Sequence, residues 1–264
     1  MKFGHKNIWI TGAASGMGRA LAIALSGFNA QLILSDRDEA GLNETAALLS
    51  KSSPAARILM LDMGNTKAIN DAVSLIISEF KTIHALYQFA GISQRSLVVE
   101  TPLENDRKII EINFFGVITL AKAILPSMIA SGGGQIAVTS SIVGKFGFPY
   151  RSAYSASKHA IHGYFESLRA ENSKLNIRVS ILIPGRVQTN ISKFALDKKG
   201  QEYGKMDAGQ ANGITSEKAA KQILRGLKRE RKEIHIGGKE LLMLQIRRFV
   251  PALYYKLATR IKPV

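Results

Sequence analysis

The chain has 264 residues, 46% of them hydrophobic and 21% charged, enough for one large α/β domain with a sizeable core and too apolar for a disordered chain. It holds no cysteine, which excludes a disulfide scaffold, a thiol nucleophile and a Cys-based zinc site. The formal net charge is +16, with Lys and Arg crowded into the last third; no zinc-finger spacing or aromatic RNA-binding motif accompanies it, and no nucleic acid is expected as a partner.

In chain order, apolar β-rich runs alternate with stretches of helical spacing. A strand at 7–11 (NIWIT) leads to a helix at 16–27, and a strand at 31–35 to a helix at 38–51. A strand at 57–61 precedes a helix at 66–80, and a strand at 85–89 precedes a long helix at 104–130. Strands at 135–140 and 178–183 flank a helix at 153–174, and a helix at 215–229 precedes a last strand at 233–236. Several strands are almost continuously apolar, as strands covered on both faces are. The alternation predicts a single α/β domain over 1–264, with a doubly wound, seven-stranded, mainly parallel sheet flanked by helices on both faces.

Two segments break the rhythm. Residues 185–214 are polar and hold several glycines, the signature of a functional loop or lid. Residues 239–264 form a basic helical extension that Pro251 should split. Beyond it, Leu253, Tyr254, Leu257, Ala258 and Ile261 fall on one helical face and Lys256, Thr259, Arg260 and Lys262 on the other. The extension is expected to pack on the domain or a partner subunit; the alternative is peripheral contact with an anionic membrane surface. No apolar run is read as approaching the roughly 20 residues of a membrane span. The N-terminus enters the first strand with no room for a signal peptide, so a soluble, cytoplasmic protein is expected.

The turn after the first strand reads TGAASGMG (11–18). Gly12, Gly16 and Gly18 let the backbone turn sharply and approach a ligand, and the helix that follows offers free N–H groups to a pyrophosphate. Ser15 and Met17 are counted with them as cofactor contacts. Asp36 ends the second strand, eighteen residues past Gly18, where a carboxylate can take both ribose hydroxyls of an adenosine and repel a 2′-phosphate. That favours NAD; Arg37 beside it keeps NADP as the alternative. Asp62, with Met63 next to it, is similarly placed for the adenine.

Six ordered motifs then give the chain a family likeness: TGAASGMG, Ala90–Gly91, EINFFG (111–116), Ser140–Ser141, YSASK (154–158) and PGRVQT (184–189). Together they resemble the short-chain dehydrogenase/reductase family, in its branch of about 250 residues and with a Rossmann-type fold. The run PYRSAYSASKHAIHGYFESLRAE is similar to the hydroxysteroid-type members. One departure stands out: Gln88–Phe89 replaces the family's Asn-Asn before Ala-Gly, and Phe89 cannot supply the amide hydrogen bonds that hold the backbone there.

Tyr154 and Lys158 are four apart, on one face of a helix. A cation beside a phenol lowers its pKa from about 10 and readies it for proton transfer. The resemblance implies a catalytic set of Asn113, Ser141, Tyr154 and Lys158. In it Tyr154 exchanges the proton, and Lys158 tunes it and holds the nicotinamide ribose. Ser141, thirteen residues before the tyrosine, steadies the substrate oxygen, and the Asn113 amide orients a water. Pro184, Gly185, Val187 and Thr189 are expected around the nicotinamide. The reaction implied is interconversion of a secondary alcohol and a ketone with NAD, or NADP in its place. The small-molecule substrate is read as lipophilic, from a helix-like 190–198 in the lid and from Phe146, Phe148, Pro149 and Tyr150 opposite. A nucleotide-sensing protein with little turnover is the alternative. Family members pair through their two long helices, so a homodimer or homotetramer is expected. No metal site is expected; His159 and His162 are read as lacking a carboxylate partner.

Overall fold

A computed structural model describes residues 2–259. The elements run β1 (Asn7–Thr11), α1 (Gly16–Ser26), β2 (Gln31–Asp36), α2 (Glu39–Ala47), β3 (Arg57–Met60), α3 (Thr66–Phe80) and β4 (Ala85–Gln88). There follow α4 (Leu103–Ile110), α5 (Gly116–Ala130), β5 (Gly134–Thr139), α6 (Ser152–Glu171) and β6 (Ile177–Pro184). The chain continues through α7 (Ala208–Ala211), α8 (Ser216–Lys228), β7 (Glu233–Ile236), α9 (Leu242–Phe249) and α10 (Pro251–Ala258). The seven strands form one sheet in the order β3-β2-β1-β4-β5-β6-β7. Every described pairing is parallel, so the sheet is wholly rather than mainly parallel.

The strands read as continuously apolar because both their faces are covered. In β1, Trp9 faces the layer of α3, α5 and α6, where it meets Ile76, Leu120 and Phe165 in one cluster. Its neighbours Ile8 and Ile10 point the other way, to Leu21 and Leu25 of α1 and Ile223 of α8. Winding reverses between β1 and β4, and the crevice at the carboxyl ends of those strands is where such sheets bind ligands.

The helix expected over 104–130 is continuous, but it carries a π-bulge at Glu111–Phe115 between α4 and α5. By length and composition the segment Leu103–Ala130 could cross a membrane, which corrects the expectation that no run comes near. In this fold Val117, Leu120, Ala121, Ile124 and Met128 of α5 are core residues. The helix expected over 38–51 stops at Ala47, and the Ser50 N–H donates to Ser26 Oγ instead. Residues 190–198 form one 3₁₀ turn, Asn190–Ser192, and not a helix. The amides beyond it are drawn into non-helical pairs: Leu196 N–H to the Ser93 carbonyl at 2.9 Å and Asp197 N–H to the Gln201 carbonyl at 2.8 Å.

Pro251 sits in the first turn of α10 and separates it from α9, as expected. Tyr254 is buried; its hydroxyl donates to the Gly147 carbonyl at 2.6 Å and its ring lies 5.1 Å from that of Phe146. The extension therefore packs on its own domain. Arg260, Ile261 and Lys262 lie outside the described residues.

Candidate active site

Gly12 has φ of 70°, and a Cβ on it would fall 2.5 Å from Ala90 N. Only glycine lets the exit of β1 pass this close to the exit of β4. Ser15 caps α1 from an extended conformation without a side-chain bond, leaving the first-turn N–H groups free of protein acceptors at that cap. The turn is braced from below. Asp36 accepts from Ala14 N–H at 3.1 Å and from Arg37 N–H at 2.8 Å. Arg19 donates to the Ala14 carbonyl and pairs with Glu44.

The glycine turn walls a cleft of about 360 Å³. Gly12, Ser15, Gly16, Met17, Gly18, Asp36, Arg37, Asp62, Met63, Ala90, Gly91 and Thr189, all named from the sequence, line it. Arg37 is exposed, and the Asp62 carboxylate is turned to Gly64 N–H at 2.8 Å. Pro184 ends β6 and Gly185 follows it, beyond this cleft, with the Pro184 carbonyl 3.4 Å from the Ser141 hydroxyl. Val187 turns its side chain into the core beneath α8, and a bridge pairs its backbone with Ile214. Ile191 and Phe194, within the 190–198 stretch that the sequence placed over the substrate, also line the cleft.

Tyr154, Lys158, Ser141 and Asn113 are all buried and come from three elements that meet at the β4 and β5 exits. Lys158 Nζ lies 5.6 Å from the Tyr154 ring centroid and donates to the Thr139 carbonyl at 2.8 Å. A Cβ on Gly91 would fall 2.9 Å from Asn113 Oδ1 and 3.6 Å from Lys158 Nζ, so the three converge on one point. The two serines divide by partner. Ser140 gives its hydroxyl to the Lys158 carbonyl at 3.0 Å; Ser141 has a long bond to the Pro184 carbonyl at 3.4 Å, accepts from Val143 N–H at 3.3 Å and stands beside the Tyr154 hydroxyl.

Asn113 is tied on both sides. Its Oδ1 accepts from Ile92 N–H at 2.8 Å, and its Nδ2 donates to the Ile92 carbonyl at 2.8 Å and to Ser157 Oγ at 3.1 Å. The amide clamps the β4 exit to α6, with both N–H groups taken and one acceptor site left on Oδ1. It can do so because the π-bulge turns residue 113 inward, and such bulges gather at functional sites.

The electrostatics also depart from the simple pair. Burial raises the Tyr154 phenol above its ordinary range; the charges of Arg151 and Arg95, and the Ser141 hydroxyl, pull it back down. Burial lowers Lys158 to about 8, with its ammonium turned to a carbonyl rather than to the phenol. Besides Lys158, the cations that act on the phenol are two arginines the sequence did not single out. Asp207, from the lid, accepts from both: Arg95 Nη2 at 2.6 Å and Arg151 Nη2 at 2.6 Å. Arg151 stood within the run quoted for the family likeness, but residues 95, 151 and 207 are too far apart in sequence to signal a cluster.

Gln94 was also unmarked. Its Oε1 accepts from Ala153 N–H at 3.0 Å, capping α6 one residue before Tyr154, and its Nε2 donates to Thr101 and Ser152 hydroxyls at 2.9 and 3.1 Å. Gln88, by contrast, is buried with neither amide atom bonded among the described residues. Phe89 lines the cleft, and its N–H still ties β4 to the Thr11 carbonyl at 3.0 Å. His162 does have carboxylates nearby, contrary to the sequence reading: Glu166 one turn on at 3.8 Å and Glu233 of β7 at 3.9 Å. Lys145 already holds Glu233 at 2.7 Å, so an ammonium stands where a metal's charge would be used.

The family model for short chain dehydrogenase matches residues 6–200. Dehydrogenase/reductase SDR family member 7B of Danio rerio is 36% identical over 258 residues, 95% of this chain and 84% of the relative. Its Xenopus tropicalis counterpart is 37% identical over 261 residues, 96% of this chain and 84% of the relative. A short chain dehydrogenase/reductase from Burkholderia phymatum, solved in complex with NAD, has the same fold: TM-score 0.84 at 21% identity, over 100% of this chain and 98% of that one. A short chain dehydrogenase from Burkholderia cenocepacia J2315, solved in complex with NADP, gives a TM-score of 0.78 at 25% identity, over 97% and 99%.

Proposed function

The chain belongs to the short-chain dehydrogenase/reductase family and is a nicotinamide-dependent oxidoreductase; from that premise we propose that it interconverts a secondary alcohol and a ketone on a lipophilic substrate. The observation that carries the reading is the convergence of Asn113, Lys158 and the Gly91 backbone beside a buried Tyr154, at the end of the cleft walled by the glycine turn.

The residues present fit a dinucleotide. Gly12 leaves the space a Cβ would fill, the α1 N-terminus has donors free for a pyrophosphate, and Asp36 stands at the adenosine end. The bound cofactor supplies or accepts the hydride. Tyr154 gives its hydroxyl proton to the carbonyl oxygen in reduction and takes it back in oxidation. Ser141, whose hydroxyl is weakly engaged, donates to the same oxygen as charge gathers there. Lys158, within reach of the Gly91 backbone, holds the ribose side of the cofactor. Asp36 favours NAD, and Arg37, exposed at the cleft wall, is the group available to a 2′-phosphate.

The apolar wall supports a lipophilic substrate: Tyr154 sits in one cluster with Ile92, Val143, Phe146, Leu196 and Tyr254. Hydride transfer to a ketone and alcohol panel, followed at the nicotinamide, tests the proposal. Tyr154→Phe should lower it by about 10²-fold or more with the cofactor still bound, the scale of general acid–base catalysis. Tight cofactor binding with no turnover on any substrate would instead favour the sensor reading.

The extension supports a second, added role. Leu242, Phe249, Leu253 and Tyr255 of α9 and α10, and Val250 between the two helices, are exposed among Arg247, Arg248 and Lys256, with Phe249 at 69%. That combination suits an anionic lipid surface. Flotation with phosphatidylserine vesicles should fall in a Phe249→Ser, Leu253→Ser variant; equal flotation would remove the role. Pairing of two copies through the helices over 103–130 and 152–171 belongs to the same proposal, and light scattering of the purified protein tests it.

A further inference from the structure

Asp207 is over-supplied with positive charge. Arg95 alone satisfies it, Nε reaching Oδ1 at 3.1 Å and Oδ2 at 3.0 Å, and Nη2 reaching Oδ2 at 2.6 Å. Arg151 then adds a second guanidinium on the same Oδ2. All three side chains are withdrawn from water, at 2%, 4% and 15% exposure for Arg95, Asp207 and Arg151. Two guanidiniums against one carboxylate leave a buried positive excess, an arrangement that is costly unless something nearby uses it.

What lies nearby is Tyr154. Arg151 is the N-cap of α6, three residues before the tyrosine, so its charge stands at the helix start that carries the phenol, and the charges of Arg151 and Arg95 both favour the phenolate. Arg95 is fixed by the loop whose Gln94 caps the same helix start, and its Nη1 is tied to Ser93 Oγ at 2.8 Å. Lys158 is the other cation near the phenol, its Nζ 5.6 Å from the ring centroid and hydrogen-bonded to the Thr139 carbonyl, and its charge is common to every variant compared below. Ser141 is neutral; Tyr254 of α10 is neutral and takes up Arg247 of α9 over its ring at 5.5 Å. Lys145 is committed to Glu233.

We propose that Arg151 and Arg95, sharing Asp207 of the lid between them, are positioning residues whose surplus charge sets the pH at which Tyr154 gives up its proton. The proposal rests on the acid–base reading of Tyr154. A buried cation close to the phenol favours the phenolate, and a carboxylate close to it opposes this. Removing the surplus guanidinium should therefore raise the pH of ionisation, and removing the carboxylate should lower it. A role confined to holding the lid would give no such opposition of sign, since either change would loosen the same contact.

The test compares wild type, Arg151→Met, Arg151→Lys and Asp207→Asn, each first checked for folding by circular dichroism. Arg151→Met leaves Asp207 held by Arg95, and Asp207→Asn keeps the shape of the acid. The rising limb of the alcohol-oxidation pH profile should move up by about one unit in Arg151→Met and down in Asp207→Asn, the scale of shift a neighbouring charge produces. Arg151→Lys should return it towards the wild type. A second readout needs no substrate: phenolate ultraviolet absorbance, titrated for each protein and corrected by the matching Tyr154→Phe double variant. It keeps the proposal separate from the choice of substrate, since absence of turnover would count against the alcohol–ketone reading and leave the phenol titration standing. Limbs that do not move, that move in the same direction for both variants, or a Tyr154 that never ionises below alkaline unfolding would overturn the proposal.

Discussion

Lys158 Nζ lies 5.6 Å from the ring centroid of Tyr154, yet its hydrogen bond goes to the Thr139 carbonyl at 2.8 Å. The ammonium is fully inside the protein, and burial lowers it to about 8 from 10.5. Between those values the unfolded chain binds a proton that the folded chain does not. The cost of burying the charge is therefore complete below about pH 8 and is relieved as pH rises towards 10.5. Lys158→Met should raise the melting temperature at neutral pH, and the gain should shrink as the buffer approaches pH 10.5, while cofactor affinity falls. Melting curves across alkaline pH measure the first effect and fluorescence titration the second. A neutral-pH melting temperature that drops would mean the ammonium is stabilising where it stands.

His162 supplies the acid counterpart. Burial first, and the charge of Lys145 next, lower it to about 4 from 6.5, with Glu233 opposing. Neither ring nitrogen has a hydrogen bond among the described residues. As pH falls from 6.5 towards 4 the unfolded chain takes up a proton that the folded chain refuses, so stability drains away across that window. His162→Leu removes the group from the balance. Its melting temperature should hold nearly level between pH 7 and 5 where the wild type declines; parallel declines would assign the acid sensitivity elsewhere.

What the sequence made legible follows from how local each signal is. Strand and helix periods are written in neighbouring residues, and β1, β7 and α3 fall on their expected bounds. The glycine turn and the Tyr154–Lys158 spacing are equally local, so the cleft was found from them. The failures are of two kinds. Residues 190–198 carry helical spacing, but their amides are claimed by Ser93 and Gln201, which lie outside that window. Arg95, Arg151 and Asp207 meet only because the lid folds back across a hundred residues of chain, and Arg95 to Asp207 alone spans 112 positions. The inward turn of Asn113 depends on one extra residue in a helix, which leaves the apolar pattern on either side almost unchanged.

Gln88 marks the departure from the family pattern, and its amide does not replace the missing hydrogen bonds. It is buried opposite Thr11 and Val138 in the sheet, with its nitrogen and oxygen both unbonded among the described residues. A buried amide in that state costs about 1–3 kcal/mol relative to a bonded or apolar group. Methionine has nearly the same length and no such requirement. Gln88→Met should stabilise the protein by about 1 kcal/mol in urea unfolding, with cofactor affinity unchanged, because Phe89 N–H still ties β4 to Thr11. A loss of stability would show that the amide is satisfied by a bound water.

Asp36 has two tasks that can be separated. One oxygen accepts from Ala14 N–H and so supports the glycine turn; the other takes the N–H groups of Arg37 and Asp38 at 2.8 and 3.3 Å. An asparagine keeps one carbonyl acceptor and loses the charge. If the charge is what turns away a 2′-phosphate, Asp36→Asn should shift the ratio of NADP to NAD affinity by about tenfold, equivalent to roughly 1.4 kcal/mol. If support of the turn dominates, both affinities should fall together and the ratio should stay. Arg37→Ala separates the remaining charge: its side chain is exposed, so NAD affinity should hold while any residual NADP binding declines. Calorimetric titration of both nucleotides against the three proteins decides between the tasks, and an unchanged ratio in Asp36→Asn would remove the carboxylate as the selector.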